Sequence, residues 1–135
     1  MKTLVTEVAG VVSAPAAPVR DALARALLPG RRPDLRGRFS HEDAPGHTST
    51  VEATDTMIAF QGGWWYRGEW TVEPHPSGTL VVHRVYNVAQ WMRWGVGLAN
   101  RFFIGFPART RAAFSAILEK LSKELGVPAE VTTPP

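Results

Sequence analysis

The sequence predicts an α+β domain, and three observations carry that prediction. Two strand-favouring runs, Trp64 to Glu73 and Thr79 to Asn87, flank Pro74-His75-Pro76-Ser77-Gly78, a cluster that cannot continue a ladder. Gly62-Gly63 is a two-residue hairpin signal that joins the first of these runs to Thr48–Gln61. From Pro107 to Leu125 the apolar spacing is helical, with Thr110, Ala113, Phe114, Ile117, Leu118, Leu121 and Leu125 on one stripe. The order is strand, helix, several antiparallel strands, long carboxy-terminal helix.

Along the chain, Val- and Thr-rich Thr3–Val12 reads as the first strand. Ser13-Ala14-Pro15 resets the chain for a helix over Ala16–Leu28, with Val19, Leu23, Ala26 and Leu27 facing inward, and Pro29-Gly30 ends it. A basic connector leads to a short strand near Gly37–His41, and Glu42 to Gly46 reads as a turn. Thr48–Gln61 is one strand, or two broken near Thr54-Asp55. Between Ala89 and Phe106, Trp91, Trp94, Leu98, Phe102, Phe103 and Phe106 recur at spacings of three and four, but Gly95, Gly97 and Gly105 interrupt them. That segment reads as a loop with a short helix. Gly126 stops the last helix, so residues 1–126 form one domain and 127–135 a loose tail.

Composition narrows the function classes. A hydrophobic share of 44% in 135 residues excludes global disorder. With no cysteine there are no disulfides, thiolate chemistry or cysteine-ligated metals. The first residues lack the apolar run of a signal peptide, and Arg93 and Arg101 divide the most apolar region, so a cytoplasmic location is expected. The net charge of +3 arises from 15 basic against 12 acidic residues. Its only dense basic run, Arg31 to Arg38, sits in a Pro/Gly-rich connector, a weak nucleic-acid signal, and no nucleic-acid partner is expected. His41, His47, His75 and His83 do not pair at helical spacing; His41 and His47 with Glu42 or Asp43 are the alternative for a metal. No phosphate-binding loop follows a strand. No metal and no cofactor are expected.

Candidate site residues follow from the hairpin register. Opposing Glu73 to Thr79 sets Val72 against Leu80, Trp70 against Val82, Gly68 against Arg84 and Tyr66 against Tyr86. One face then carries Trp64, Tyr66, Trp70, Val72, Leu80, Val82 and Tyr86 with a single cation, Arg84, over the gap left by Gly68. Pairing through Gly62-Gly63 opposes Asp55 to Trp70 and adds Val51, Ala53, Met57 and Ala59 to that face, placing Asp55 diagonal to Arg84 as its partner. A one-residue slip would instead turn Arg84 to solvent, and Asp55 would be exposed if it sits in a turn. Arg67, Glu69, Thr71, Glu73, Val81, His83 and Asn87 form the opposite, solvated face.

The stretch Val8-Ala9-Gly10-Val11-Val12-Ser13-Ala14-Pro15, leading into the Val19-centred helix, resembles the opening of the START/SRPBCC superfamily, which includes polyketide cyclase/dehydrase-like proteins. Trp70 to Val82 looks like its Gly-Thr hairpin, and Pro107–Leu125 is similar to its closing helix. The resemblance covers about Thr3 to Leu125. It implies a helix-grip fold, in which a curved antiparallel sheet of six to seven strands wraps the long last helix around an internal hydrophobic cavity.

The cavity implies a hydrophobic small-molecule ligand or polyketide-like substrate. As an enzyme, the protein would template cyclisation or dehydration, with Arg84 polarising a carbonyl, Tyr66 or Tyr86 as proton donor or relay and Asp55 as base. Trp64, Trp70, Met57, Val82, Trp91, Trp94, Phe102, Phe106 and Phe114 would line the ligand. The alternative is a non-catalytic carrier whose aromatic segment 89–106 forms a portal touching a membrane or a carrier protein. The same segment offers a homodimer contact as against a monomer. For any single ring, filling the core is the plainer role.

Overall fold

In chain order the elements are β1 (Thr3–Val12), α1 (Ala16–Leu27), β2 (Gly37–Ala44), β3 (His47–Ala53), β4 (Met57–Gly62), β5 (Tyr66–His75), β6 (Gly78–Asn87), α2 (Phe106–Leu125) and β7 (Ala129–Thr132). The structure, a computed structural model, describes residues 3–62, 65–88 and 105–135. All seven strands pair antiparallel in one open sheet, in the order β2-β3-β4-β5-β6-β1-β7. The α+β class read from the sequence is what forms.

Both helices lie on one face of this sheet, where α2 packs against β1, β7 and α1. Inward-facing Val12, Val51, Ile58, Trp70, Val72 and Val81 meet Val19 and Leu23 of α1 and Phe114, Leu118 and Leu121 of α2 in one buried cluster. Each such side chain, fully buried, contributes roughly 1.5–3 kcal/mol. Close approach of α2 depends on Gly10: a Cβ there would fall on the Leu118 side chain and lie 3.2 Å from Phe114. The α2 stripe is as expected except at Ala113, which is exposed. Gly126, at φ 65°, ends the helix in the left-handed conformation.

Two registers differ from expectation, each because of a turn. In the β5–β6 hairpin, His75 pairs with Gly78, so Pro76-Ser77 alone makes the loop and Trp70 opposes His83, Gly68 opposes Val85 and Glu69 opposes Arg84. The Ser77 N–H donates to His75 Nδ1 at 3.0 Å, which helps close the turn. Pro74 does not break β5. Val72 N–H points away from β6, to the Thr56 carbonyl at 2.9 Å. Pro74, two residues on, points its missing donor the same way, beyond the start of β4, where no ladder bond is lost.

The second turn is Thr54-Asp55-Thr56. Thr54 Oγ1 accepts from Met57 N–H at 2.9 Å and Thr56 N–H at 3.2 Å, while Thr54 N–H donates to the Met57 carbonyl at 2.8 Å. Ala53 therefore pairs with Ile58, which turns Ile58 and Phe60 inward and Met57 and Ala59 outward. Beyond Gly62, which pairs with Tyr66, the reversal is longer than two residues. The expected tail is also corrected. Ala129–Thr132 pairs with β1, and Ala129 and Val131 pack on the core.

Candidate functional site

On β5, Tyr66, Gly68 and Trp70 share the helix-facing side, and His83 on β6 lies directly opposite Trp70. The Trp70 indole is sandwiched in parallel: His83 stacks on it at 4.0 Å between centroids and Phe114 of α2 at 5.6 Å. The Trp65 ring meets Tyr66 edge-on at 5.6 Å and Phe106, in the first turn of α2, at 5.7 Å. Phe106 carries the Arg109 guanidinium 5.9 Å above its ring. The rings thus form two groups, His83, Trp70 and Phe114 where the sheet meets the middle of α2, and Tyr66, Trp65 and Phe106 near the starts of β5 and α2.

Gly68 makes room for the Tyr66 side chain beside His83. A Cβ built there would fall on the Tyr66 hydroxyl and lie 3.2 Å from His83 Cε1, so the tyrosine hydroxyl occupies the room that a side chain at 68 would need. His83 Nδ1 lies 3.1 Å from the Glu69 carbonyl. A carbonyl only accepts, so Nδ1 carries the proton and Nε2 the lone pair. Burial pushes the His83 pKa down to about 4 against this hydrogen bond, which acts in the opposite direction. Burial also raises the Tyr66 phenol above its ordinary value. At neutral pH the inner face beside Gly68 therefore carries a neutral imidazole and a protonated phenol.

The opposite face of the same strands carries charge. Arg84, expected in the cavity, donates through Nε to the Glu7 carboxylate directly across the β1–β6 ladder. Arg67 binds Glu69 at 2.8 Å, Gln61 at 3.0 Å and Glu52 at 3.3 Å, and Glu52 lies 3.7 Å from Arg38. Burial by itself would lower the Arg67 pKa, but the bonds and charges of Glu69 and Glu52 carry it above its ordinary value. Tyr86 pairs across from Arg67 on this outer face. Val82 belongs there to a small apolar cluster with Ala9, Val11 and Leu80.

Of the candidate residues, then, Tyr66, Trp70, Phe106 and Phe114 come together on the inner face. Arg84, Tyr86, Met57 and Val82 are on the other side, moved there by the two turns. Asp55 sits in the β3–β4 turn with its side chain 87% exposed, paired to Arg36 Nε at 2.9 Å. Trp64, Trp91, Trp94 and Phe102 lie outside the described residues. The sequence reading missed Trp65 and assigned His83 to solvent. It also missed the arginine that is actually buried. Arg20 of α1, 3% exposed, donates to the Thr54 carbonyl at 2.9 Å and the Pro33 carbonyl at 2.7 Å, tying two loops to the helix. Its pKa is lowered by burial and by neighbouring Arg36.

Two clefts open elsewhere. One of about 610 Å³ is lined by Glu7, Val8, Pro107, Arg111 and Val131, where β1 and β7 meet the start of α2. Another of about 460 Å³ lies between Arg25, Leu28, Lys120 and Glu124 on the two helices. Neither is lined by Tyr66, Trp70 or His83. Among the described residues no three His, Asp or Glu side chains group as a metal site, and no helix is long and apolar enough to cross a membrane. Comparison with family models, curated proteins and solved structures finds no match for this chain.

Proposed function

We propose that this protein binds a flat hydrophobic organic molecule between β5–β6 and α2, as a helix-grip domain of the START/SRPBCC kind does, and that it acts as a carrier. The observation that supports this reading is the gathering of rings where β5–β6 meet α2, with Phe106, Trp65 and Tyr66 in one group and Phe114, Trp70 and His83 in another. Aromatic rings stack on flat ligands with roughly 0.5–1.5 kcal/mol beyond burial per good pair. Carrying is favoured over chemistry because Arg84, the electrophile a cyclase reading requires, is ion-paired to Glu7 on the outer face. Native mass spectrometry of the purified protein, with tryptophan quenching by naphthalene, tests the reading. Saturable quenching that weakens at least tenfold in Trp70→Leu is expected, whereas no saturable quenching contradicts it.

A cyclase or dehydrase reading of the same site retains one specific support, the Tyr66 phenol that burial holds protonated as a proton donor. In that reading a polyketide-like chain is folded against these rings, and product formation is lost in Tyr66→Phe while binding is kept.

A further inference from the structure

We infer that the β2 edge of the sheet pairs antiparallel with β2 of a second copy of this chain, about a two-fold axis at Ser40. This surface is separate from the proposed ligand site and does not depend on it. β2 is the last strand in the order β2-β3-β4-β5-β6-β1-β7, and among the described residues it pairs with β3 alone. An edge strand offers a row of backbone N–H and C=O groups to another strand. Gly37, Arg38, Ser40 and Glu42 are exposed, and a Cβ built on Gly37 would meet no atom within 4 Å, so this edge has open space beside it.

Strand shape and charge select the same register. Gly37 has a φ of 102° at one end of β2, and at the other the pairing with β3 shifts between Glu42 and Ala44, as a bulge does. The straight run between them is Arg38-Phe39-Ser40-His41-Glu42, with Ser40 at its middle. Phe39 packs on the core, so by alternation Arg38, Ser40 and Glu42 share the outer face. Antiparallel pairing about Ser40 sets Arg38 against the partner's Glu42 and Glu42 against the partner's Arg38, with Phe39 and His41 opposed on the inner face. An axis at residue 38 or 42 would oppose like charges, and one at 39 or 41 would leave Arg38 facing Ser40 or Ala44. Arg38 lies 3.7 Å from Glu52 with 68% of its side chain exposed, which leaves guanidinium donors for a second carboxylate.

Sedimentation equilibrium of the whole protein at low salt, from micromolar to millimolar concentration, tests the pairing. So short a ladder buries little area, and a reversible dimer forming in the upper part of that range is expected. By symmetry each charge reversal alters two pairs. Arg38→Glu or Glu42→Arg alone should weaken the dimer at least about tenfold, and the double variant should restore it to within about threefold. Circular dichroism checks that each variant is folded, and Glu42→Arg leaves the contact between Arg38 and Glu52 in place. A protein that stays monomeric at millimolar concentration overturns the inference. So does a dimer that neither single reversal weakens, such as one built on segment 89–106, or one that the double variant fails to restore.

Discussion

The two faces of the β5–β6 hairpin solve the burial of polar side chains in opposite ways. On the inner face Tyr66 and His83 sit among rings, and each is held in its uncharged form, the phenol with its pKa raised and the imidazole with its pKa lowered to about 4. On the outer face Arg67 and Glu69, only 14% and 10% exposed as side chains, stay charged and neutralise one another at 2.8 Å. The lesson is that proximity in sequence says little about electrostatic fate. Residues 66 to 70 alternate between these two environments one by one, and the direction of each Cβ decides which applies.

The largest break in this contrast comes from the inner side. Phe114→Ala removes the ring stacked on Trp70 and leaves a cavity, and we expect a loss of about 3–5 kcal/mol in urea unfolding. Next is the pH response of His83. In the unfolded chain its imidazole takes up a proton near 6.5, while in the folded state it stays neutral down to about pH 4. Between those values the unfolded state binds more protons, so stability falls as pH falls, by up to ~1.4 kcal/mol per unit and roughly 3 kcal/mol in all. Measured from pH 7 to 4, His83→Phe should show a shallower slope than the native protein.

Those turns, more than the elements, separate what was legible from what was not. The β-branched run of β1, the apolar stripe of α1 and the Phe114-Leu118-Leu121 stripe of α2 follow directly from local composition and period. Register does not, because a side chain's face depends on a count through a loop. Reading Pro74 as a break gave a five-residue loop in place of Pro76-Ser77, and the resulting one-residue shift of register exchanged His83 and Arg84. A signal for the true turn was available in Gly78, whose φ of 135° lets it end so short a loop. The alternation Ala129-Glu130-Val131-Thr132 likewise carried the pattern of β7. Nothing local marks Arg20 for burial; its partners, the Thr54 and Pro33 carbonyls, are supplied by distant loops.

Smaller effects sharpen the contrast from the outer side. Arg67→Leu strips Glu69 and Glu52 of their shared cation, and a loss of roughly 2 kcal/mol is expected. Adding Glu69→Leu should recover part of it, as a double-mutant cycle in urea would read. Asp55→Asn opens an exposed pair with Arg36 and should change stability by less than about 1 kcal/mol, diminishing further in high salt. A comparable loss at both sites would contradict the distinction between the sheet's packed ladder and its rim.

The most direct measurement is a nitrogen-15 NMR titration of the histidine rings from pH 7.5 to 4, with His83 assigned by its absence in His83→Phe. The account predicts a neutral ring protonated on Nδ1, with Nε2 unprotonated, that begins to charge only as pH nears about 4. A His83 ring that titrates at an ordinary value near 6.5, without a fixed tautomer, would contradict its place beside Trp70 and with it the division between the two faces.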